Sequence, residues 1–428
     1  MPEVTRIDAE KGLAPRSLMM YGLAKVVPGV LMFASVPLWV RLYGSENYGL
    51  FAVVWGTVLF SSSLGTGWLR QAILKFAGSP VNRLTNVAAV WIVLSVLLCG
   101  VPAAVVVWAL GSGQLGQESL KLGISAIAFA FASAIYYIAL AVAQRDQRSG
   151  RFTLAEGVRA ASTLGASLLV PWLATDYSVT TLVLSNLFGT VLGGVFLVPR
   201  GSVSIPRRRR SSSKVVRAFW GFGWPMGVWQ AIAAATLYTD RFFITMFLGP
   251  AAAGSYAALA DLLVRGFTIL SYPIIVASHP VIMRAWNTRD HISAINVSRI
   301  WTTRLSVLVF GGVLLGVTAC IFLGQFLLGV KVSNSPTLWL LAIGAGCWQL
   351  SLMTHKGLEM VGRSRLMLLT LACMIAITLP VNVFLIPIWG SVVAAASFAF
   401  ASLTYCLVTY VMSRRALRLY QPEENAFE

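Results

Sequence analysis

Apolar residues fall along this chain in long blocks separated by short polar connections. The blocks lie near 18–42, 49–68, 87–110, 122–143, 152–174, 178–198, 218–248, 254–282, 305–330, 336–355, 366–388 and 390–412. Most meet the roughly 20 residues that an α-helix needs to cross the hydrocarbon core of a bilayer. The pattern predicts an all-α polytopic membrane protein of about twelve transmembrane helices.

The connections alternate in charge. Residues 1–16, 69–86, 144–151, 199–217, 284–304, 355–365 and 413–428 together hold 26 of the 33 lysines and arginines, whereas the opposite connections hold Arg41, Lys121 and Lys331. Cytoplasmic loops are enriched in Lys and Arg, so both termini are expected in the cytoplasm, as in a bacterial inner-membrane protein. Residues 1–16 carry Glu3, Arg6, Asp8, Glu10, Lys11 and Arg16 ahead of an apolar run too long for a signal core, and they read as a cytoplasmic tail.

Composition agrees: 57% of the 428 residues are hydrophobic and 11% charged, against about 25% charged in soluble domains. The net charge of +18 would suit nucleic acid, but its placement follows topology and no basic face is interleaved with exposed aromatics. A nucleic-acid partner is therefore not expected. Cys99, Cys320, Cys347, Cys373 and Cys406 all lie in apolar stretches without short spacings, which argues against a disulfide framework and a zinc site. No Gly-x-x-x-x-Gly-Lys phosphate loop exists, so nucleotide hydrolysis would have to come from a partner. No metal or cofactor is expected.

Two halves of the chain overlay. Residues 43–52, Tyr-Gly-Ser-Glu-Asn-Tyr-Gly-Leu-Phe-Ala, match 248–257, Leu-Gly-Pro-Ala-Ala-Ala-Gly-Ser-Tyr-Ala, at an offset of 205, pairing Gly44 with Gly249, Gly49 with Gly254 and Phe51 with Tyr256. Each stretch is the outer turn between the first two helices of its half, where glycine permits the positive φ of a tight turn. Gln147-Arg148-Ser149 and Gly362-Arg363-Ser364 give a weaker echo between fourth and fifth helices. Six helices per half keep both repeats in one orientation, as in transporters whose substrate path runs between parallel repeats. The expected layout is a tail (1–16), a six-helix lobe (17–199), a basic linker (200–215), a second lobe (216–412) and a tail (413–428). The linker, with Arg207-Arg208-Arg209-Arg210, would lie against anionic headgroups, each basic residue contributing about 1 kcal/mol.

The stretch Leu42 to Leu50, followed by Gly65-Thr66-Gly67-Trp68, resembles the polysaccharide-export branch of the multidrug/oligosaccharidyl-lipid/polysaccharide flippase superfamily. Asp240-Arg241-Phe242-Phe243, the 249–257 turn and Pro280 extend the resemblance into the second half. It implies two six-helix lobes around a central cavity, alternating access, and a polyprenyl-diphosphate-linked oligosaccharide as substrate. Glycan polymerase or export machinery would be its partners. The same superfamily includes lipid II flippases and cation-coupled drug exporters, so fold alone does not choose the cargo.

Charge within the helices is costly, about 2.5–3.5 kcal/mol at a helix centre, and each instance is a functional candidate. Lys25 lies in the first helix with Pro28 and Pro37 and no carboxylate, either snorkelling or meeting a substrate diphosphate. Arg41 sits at the outer mouth. Arg159 has Glu156 three residues before it, a local ion pair. Arg241 and Asp261 lie ten residues either side of Ala251 and are expected to face each other at equal depth. Arg265, four residues after Asp261, and Asp240 complete two acids and two bases, serving structural pairing or ion coupling. Under pairing alone, exchanging Arg241 and Asp261 should be tolerated. Arg70 and Arg284 read as orientation signals. His279, His291 and His355 lie near cytoplasmic ends or in a loop, where a proton relay is an open alternative, with Glu359 as a further acid. The aromatic run at 219–225 reads as an interfacial anchor, with Pro225 suggesting a bend.

Lys25, Arg41, Arg159, Arg241 and Arg265 thus form a cationic set suited to an anionic diphosphate, which accepts charge-assisted hydrogen bonds. A flippase is the leading reading. A cation-coupled multidrug exporter is the near alternative, although it would be expected to carry a carboxylate in the first helix. A polysaccharide polymerase or ligase would need a large outer loop, and the longest outer connections run to about a dozen residues.

Overall fold

A computed structural model of the chain describes residues 15–75, 89–102, 104–105, 118–146, 148–197, 213–328 and 335–420. Among them the regular elements are all helices: α1 (Pro15–Lys75), α2 (Ala89–Leu98), α3 (Glu118–Arg145), α4 (Ser149–Ala174), α5 (Val179–Val195), α6 (Ser213–Leu248), α7 (Pro250–Asn287), α8 (His291–Leu328), α9 (Pro336–Thr354), α10 (Lys356–Met360), α11 (Ser364–Trp389) and α12 (Ser391–Arg418). Among the described residues, eight helices are long and apolar enough to cross a membrane. The first, Val26–Lys75, has 50 residues. That length would extend about 75 Å if straight, enough for two crossings.

Gly44 supplies the break. It adopts φ 81° and ψ 161° inside α1, a conformation open to glycine and strained for other residues. Its repeat partner Gly249 has φ 88° and ψ 163° before α7, so the matched turns share one backbone solution. The chain reverses at Gly44. In residues 15–43, Gly29 packs on Ile269 and Phe33 on Gly266; in residues 45–75, Gly49 packs on Gly254 and Gly67 on Gly227. The weaker echo holds as well: α4 and α11 each have 26 residues, entered through Arg148 (φ −82°, ψ 61°) and Arg363 (φ −90°, ψ 44°).

Two faces result. Gly44, Thr175, Gly249 and Gly390, all with positive φ, mark the turn face. Arg145, Arg148, Arg284, Arg363 and Arg418 stand at helix ends on the opposite, basic face.

Helices α3, α4 and α5 pack among themselves and on α1; α6 to α12 form a second set through α7–α8, α9–α12 and α11–α12 contacts. The sets meet where α1 lies against α6 and α7, the most extensive helix contacts in the molecule. Trp39, Tyr48, Phe51 and Phe129 anchor the first core; Phe267, Trp348, Leu371 and Tyr405 anchor the second. Phe310, Phe322, Phe326 and Phe384, each at least 70% exposed, lie on the outside, where lipid rather than water would meet them.

Helices run beyond the apolar blocks. The basic connection expected at 284–304 shrinks to a short turn between α7 and α8, and His291, expected in a loop, opens α8 with its ring 4.4 Å from Trp286. The connection at 355–365 contains α10, and α12 continues six residues into the expected C-terminal tail. Helical hydrogen bonds satisfy the backbone wherever they form, whereas hydropathy marks only the lipid-matched part. Helix α6 passes through Pro225 without interruption. The expected tail at 1–16 and linker at 200–215 fall largely outside the described residues.

Candidate functional site

The seam between the two sets is held at near-backbone distance by small residues. A Cβ on Gly254 would lie 1.6 Å from the Ser45 carbonyl oxygen, and one on Gly49 2.1 Å from the Pro250 carbonyl oxygen. Midway, a Cβ on Gly56 would strike Tyr238 at 2.4 Å; towards the basic face, one on Gly223 would meet the Trp68 carbonyl oxygen at 2.1 Å. Residues 45–75 are therefore in close contact with the start of α7 at the turn face and with α6 from there to the basic face.

Buried beside this seam is the charge cluster. Arg241 Nη2 donates to Asp261 Oδ1 at 2.8 Å, joining α6 to α7 across the Gly249 hairpin. Asp261 Oδ2 accepts from the Tyr48 hydroxyl at 2.5 Å and lies 3.8 Å from Arg265 Nη2. Arg265 donates to the Met32 carbonyl oxygen and stands 3.4 Å from the Ser35 hydroxyl. Asp240 turns away: Oδ2 accepts from the Tyr256 hydroxyl at 2.5 Å and Oδ1 from the Arg241 backbone N–H at 2.8 Å. The Arg241 guanidinium covers the Tyr238 ring at 4.4 Å. Tyr48 and Met32 belong to α1, so two of these bonds bridge the sets, whereas Arg241–Asp261 and Asp240–Tyr256 lie within the second.

The other sequence candidates scatter. Lys25 falls within α1, but its side chain lies outside the described residues. Arg41 is exposed near the turn face, 5.6 Å from the Phe326 ring. Arg159 stays in the first set, 3.5 Å from Glu156, which also accepts from the Tyr136 hydroxyl at 2.6 Å. The structure brings Asp240, Arg241, Asp261 and Arg265 together and leaves Arg41 and Arg159 apart from them.

Arg70, read from sequence as an orientation signal, is a seam residue. It is half-buried, donates to Gln230 Oε1 of α6 at 2.6 Å and lies 5.0 Å from the Tyr137 ring of α3. Its partners among the described residues are neutral. Its nearness to a helix end concealed this, because burial here comes from a helix of the other half.

A small cavity of about 20 Å³ opens on Asp240 among α6, α11 and α12, lined also by Thr236, Thr378, Asn382 and Ser397. Asn382 Oδ1 and Ser397 Oγ are buried without a protein hydrogen-bond partner. Sequence gave no sign of this site, since single Asn and Ser residues in apolar helices carry no pattern.

The profile of the polysaccharide biosynthesis protein family matches residues 16–286. No curated protein sequence matches the chain. Among solved structures, a multidrug resistance MATE family transporter of the MOP superfamily in its inward-facing conformation is similar at a TM-score of 0.68 and 15% identity, over 94% of this chain and 96% of that one. The outward-facing conformation of such a transporter gives 0.65 at 14% over the same shares. A MOP superfamily transporter from Pyrococcus furiosus, described as having a binding pocket of reversed polarity, gives 0.65 at 13%, again over 94% and 96%. The chain belongs to the polysaccharide biosynthesis protein family and has the fold of the MOP-superfamily membrane transporters.

Proposed function

We propose that this protein is a flippase that carries a polyprenyl-diphosphate-linked oligosaccharide across the bacterial inner membrane by alternating access, loading it at a cytoplasmic basic face and releasing it at a periplasmic turn face. The observation that carries this reading is Arg70, a half-buried cation in the seam whose partners among the described residues are neutral. An arginine so placed offers a planar fork to a diphosphate, the geometry that favours Arg for phosphate recognition. At the repeat offset of 205, Lys25 corresponds to Gln230, the acceptor of Arg70. Family membership points to glycan assembly, and a transporter fold gives the lobes that must part.

In this reading the glycine contacts are the gates. Release towards the turn face needs Gly49 and Gly254 to separate and Asp261 to give up Tyr48. Loading from the basic face needs Gly67 and Gly227 to separate.

Reconstituted vesicles test the reading. A fluorescent polyprenyl-diphosphate oligosaccharide should become accessible to an external glycosidase only with protein present, and Arg70→Gln should slow this at least about tenfold, the loss expected when a charge-assisted contact worth about 1.5–3 kcal/mol is removed. Vesicles that leave the lipid unmoved but extrude ethidium against a cation gradient would transfer the chain to drug export.

A further inference from the structure

Arg70 meets Gln230 through the antiparallel run of their helices. Residues 45–75 run towards the basic face and α6 runs away from it, with Gly56 against Tyr238 and Gly67 against Gly227. Arg70 stands three residues beyond Gly67, and Gln230 three beyond Gly227. Their backbones are therefore about 9 Å apart along the seam at 1.5 Å per residue. Helical side chains lean towards the N-terminus of their own helix, which in this pair directs the two towards each other. Gln230 Oε1 comes to rest 3.3 Å from the position a Cβ on Gly67 would take, and Arg70 Nη2 reaches it at 2.6 Å. The guanidinium is thus held inwards, whereas a basic side chain near a helix end ordinarily snorkels outwards to the interface.

The two neighbours of Arg70 belong to different sets of helices. Tyr137 of α3 is on the same side of the seam, its ring 5.0 Å from the guanidinium, within the distance at which a ring face attracts a cation. Tyr137 packs in turn on Tyr136 at 5.6 Å, and the Tyr136 hydroxyl is fixed by Glu156 at 2.6 Å. Gln230 lies across the seam and supplies one neutral acceptor. A guanidinium presents a rigid fork of N–H donors, and the Gln230 carbonyl oxygen takes a single one of them.

We propose that Gln230 is a stand-in for the cargo phosphate, a neutral acceptor that occupies Arg70 while the basic face is closed. Tyr137 is the positioning residue that keeps the guanidinium oriented once Gln230 has left. The inference rests on the flippase reading of Arg70. Separation of Gly67 from Gly227 carries Gln230 away with α6, while Arg70 and Tyr137 move together. The guanidinium then faces the opened seam, where a diphosphate accepts two of its N–H groups in a bidentate pair. Closure restores Gln230 and cargo replaces it, so opening of the basic face and loading favour each other through one coupling free energy. A neutral amide suits this exchange. A carboxylate at 230 would hold Arg70 against displacement by cargo, and an apolar residue would leave the cation unpaired whenever the seam closed.

The test uses the full-length protein in nanodiscs, with its five cysteines replaced and spin labels at positions 148 and 363. Both are exposed residues, at the entries to α4 in one set and α11 in the other. Without cargo, Gln230→Leu should raise the ratio of long to short label distances about tenfold, the shift that loss of a hydrogen bond to a charged group gives. Gln230→Glu should lower it. Farnesyl diphosphate, with farnesol as the uncharged control, should bind Gln230→Leu about tenfold more tightly than wild type and Gln230→Glu more weakly. Tyr137→Leu should weaken that binding about fivefold without moving the label distances, and Tyr137→Phe should retain it. A packing role for Gln230 would shift both of its variants the same way, and that result, or unmoved distances, overturns the proposal. Distances that move as expected while affinity for farnesyl diphosphate does not follow them overturn the stand-in as well. If Gln230→Glu fails to insert, Gln230→Leu decides alone on both readouts. Neither readout involves translocation of a lipid-linked sugar, so their outcome is separate from that of the vesicle assay.

Discussion

At the scale of single residues, the charge cluster divides into bonds within the second set and bonds across the seam, and the two kinds should respond differently to mutation. Arg241→Ala leaves Asp261 short of its main partner. Breaking a buried pair by removing one member costs about 3–5 kcal/mol, so membrane abundance and thermal stability in detergent should fall sharply. Exchange of Arg241 and Asp261, which simple pairing would allow, should not restore them, because arginine at 261 would face Arg265 3.8 Å from the present carboxylate and lose the Tyr48 bond. Recovery of full stability on exchange would contradict this. Tyr48→Phe removes a bond across the seam, worth about 1–3 kcal/mol when a buried acceptor is orphaned. It should raise the reactivity of a cysteine placed at Ser45 towards an impermeant thiol reagent. Tyr256→Phe, confined to one set, should leave that reactivity unchanged. If Lys25 meets the substrate diphosphate, Lys25→Ala should keep its membrane level but impair glycan export, and Lys25→Arg should retain part of it; wild-type export by Lys25→Ala would show that the residue only snorkels.

The Arg241–Asp261 pair was legible because a hairpin puts residues equidistant from its turn at equal depth. Arg265 near Asp261 was legible from its spacing of four, but the tyrosines that complete the cluster were not, although for Tyr256 a signal existed. At the offset of 205, Asp240 corresponds to Ser35 and Tyr256 to Phe51, so carboxylate and hydroxyl are present together in one repeat and absent together in the other. Arg70 had no such trace, since its partners come from α3 and α6.

Among elements, the glycine turns decide conformation. Gly254→Ala adds a methyl where the Ser45 carbonyl oxygen already stands 1.6 Å from the Cβ position, so the closed turn face must yield. The variant should show greater thiol reactivity at position 45 with helix content unchanged in circular dichroism; an unaltered reactivity would show that the seam relaxes without opening. Helix number and the turns at Gly44 and Gly249 were readable from hydropathy and glycine placement. Helix ends were not, because α8 begins in polar sequence, His291 to Arg304, where helical geometry continues beyond the lipid-matched block.

For the whole molecule, repeat and charge alternation gave the architecture, while the polysaccharide family assignment and transporter fold rest on comparison. Cargo is the central claim, and the state of the lipid-linked glycan in cells lacking the protein tests it most directly. The account predicts that deletion accumulates polyprenyl-diphosphate oligosaccharide that an impermeant glycosidase reaches in inverted vesicles but not in intact spheroplasts, and that wild-type protein, but not Arg70→Gln, clears it. Glycan equally accessible in spheroplasts of deleted and wild-type cells would contradict it.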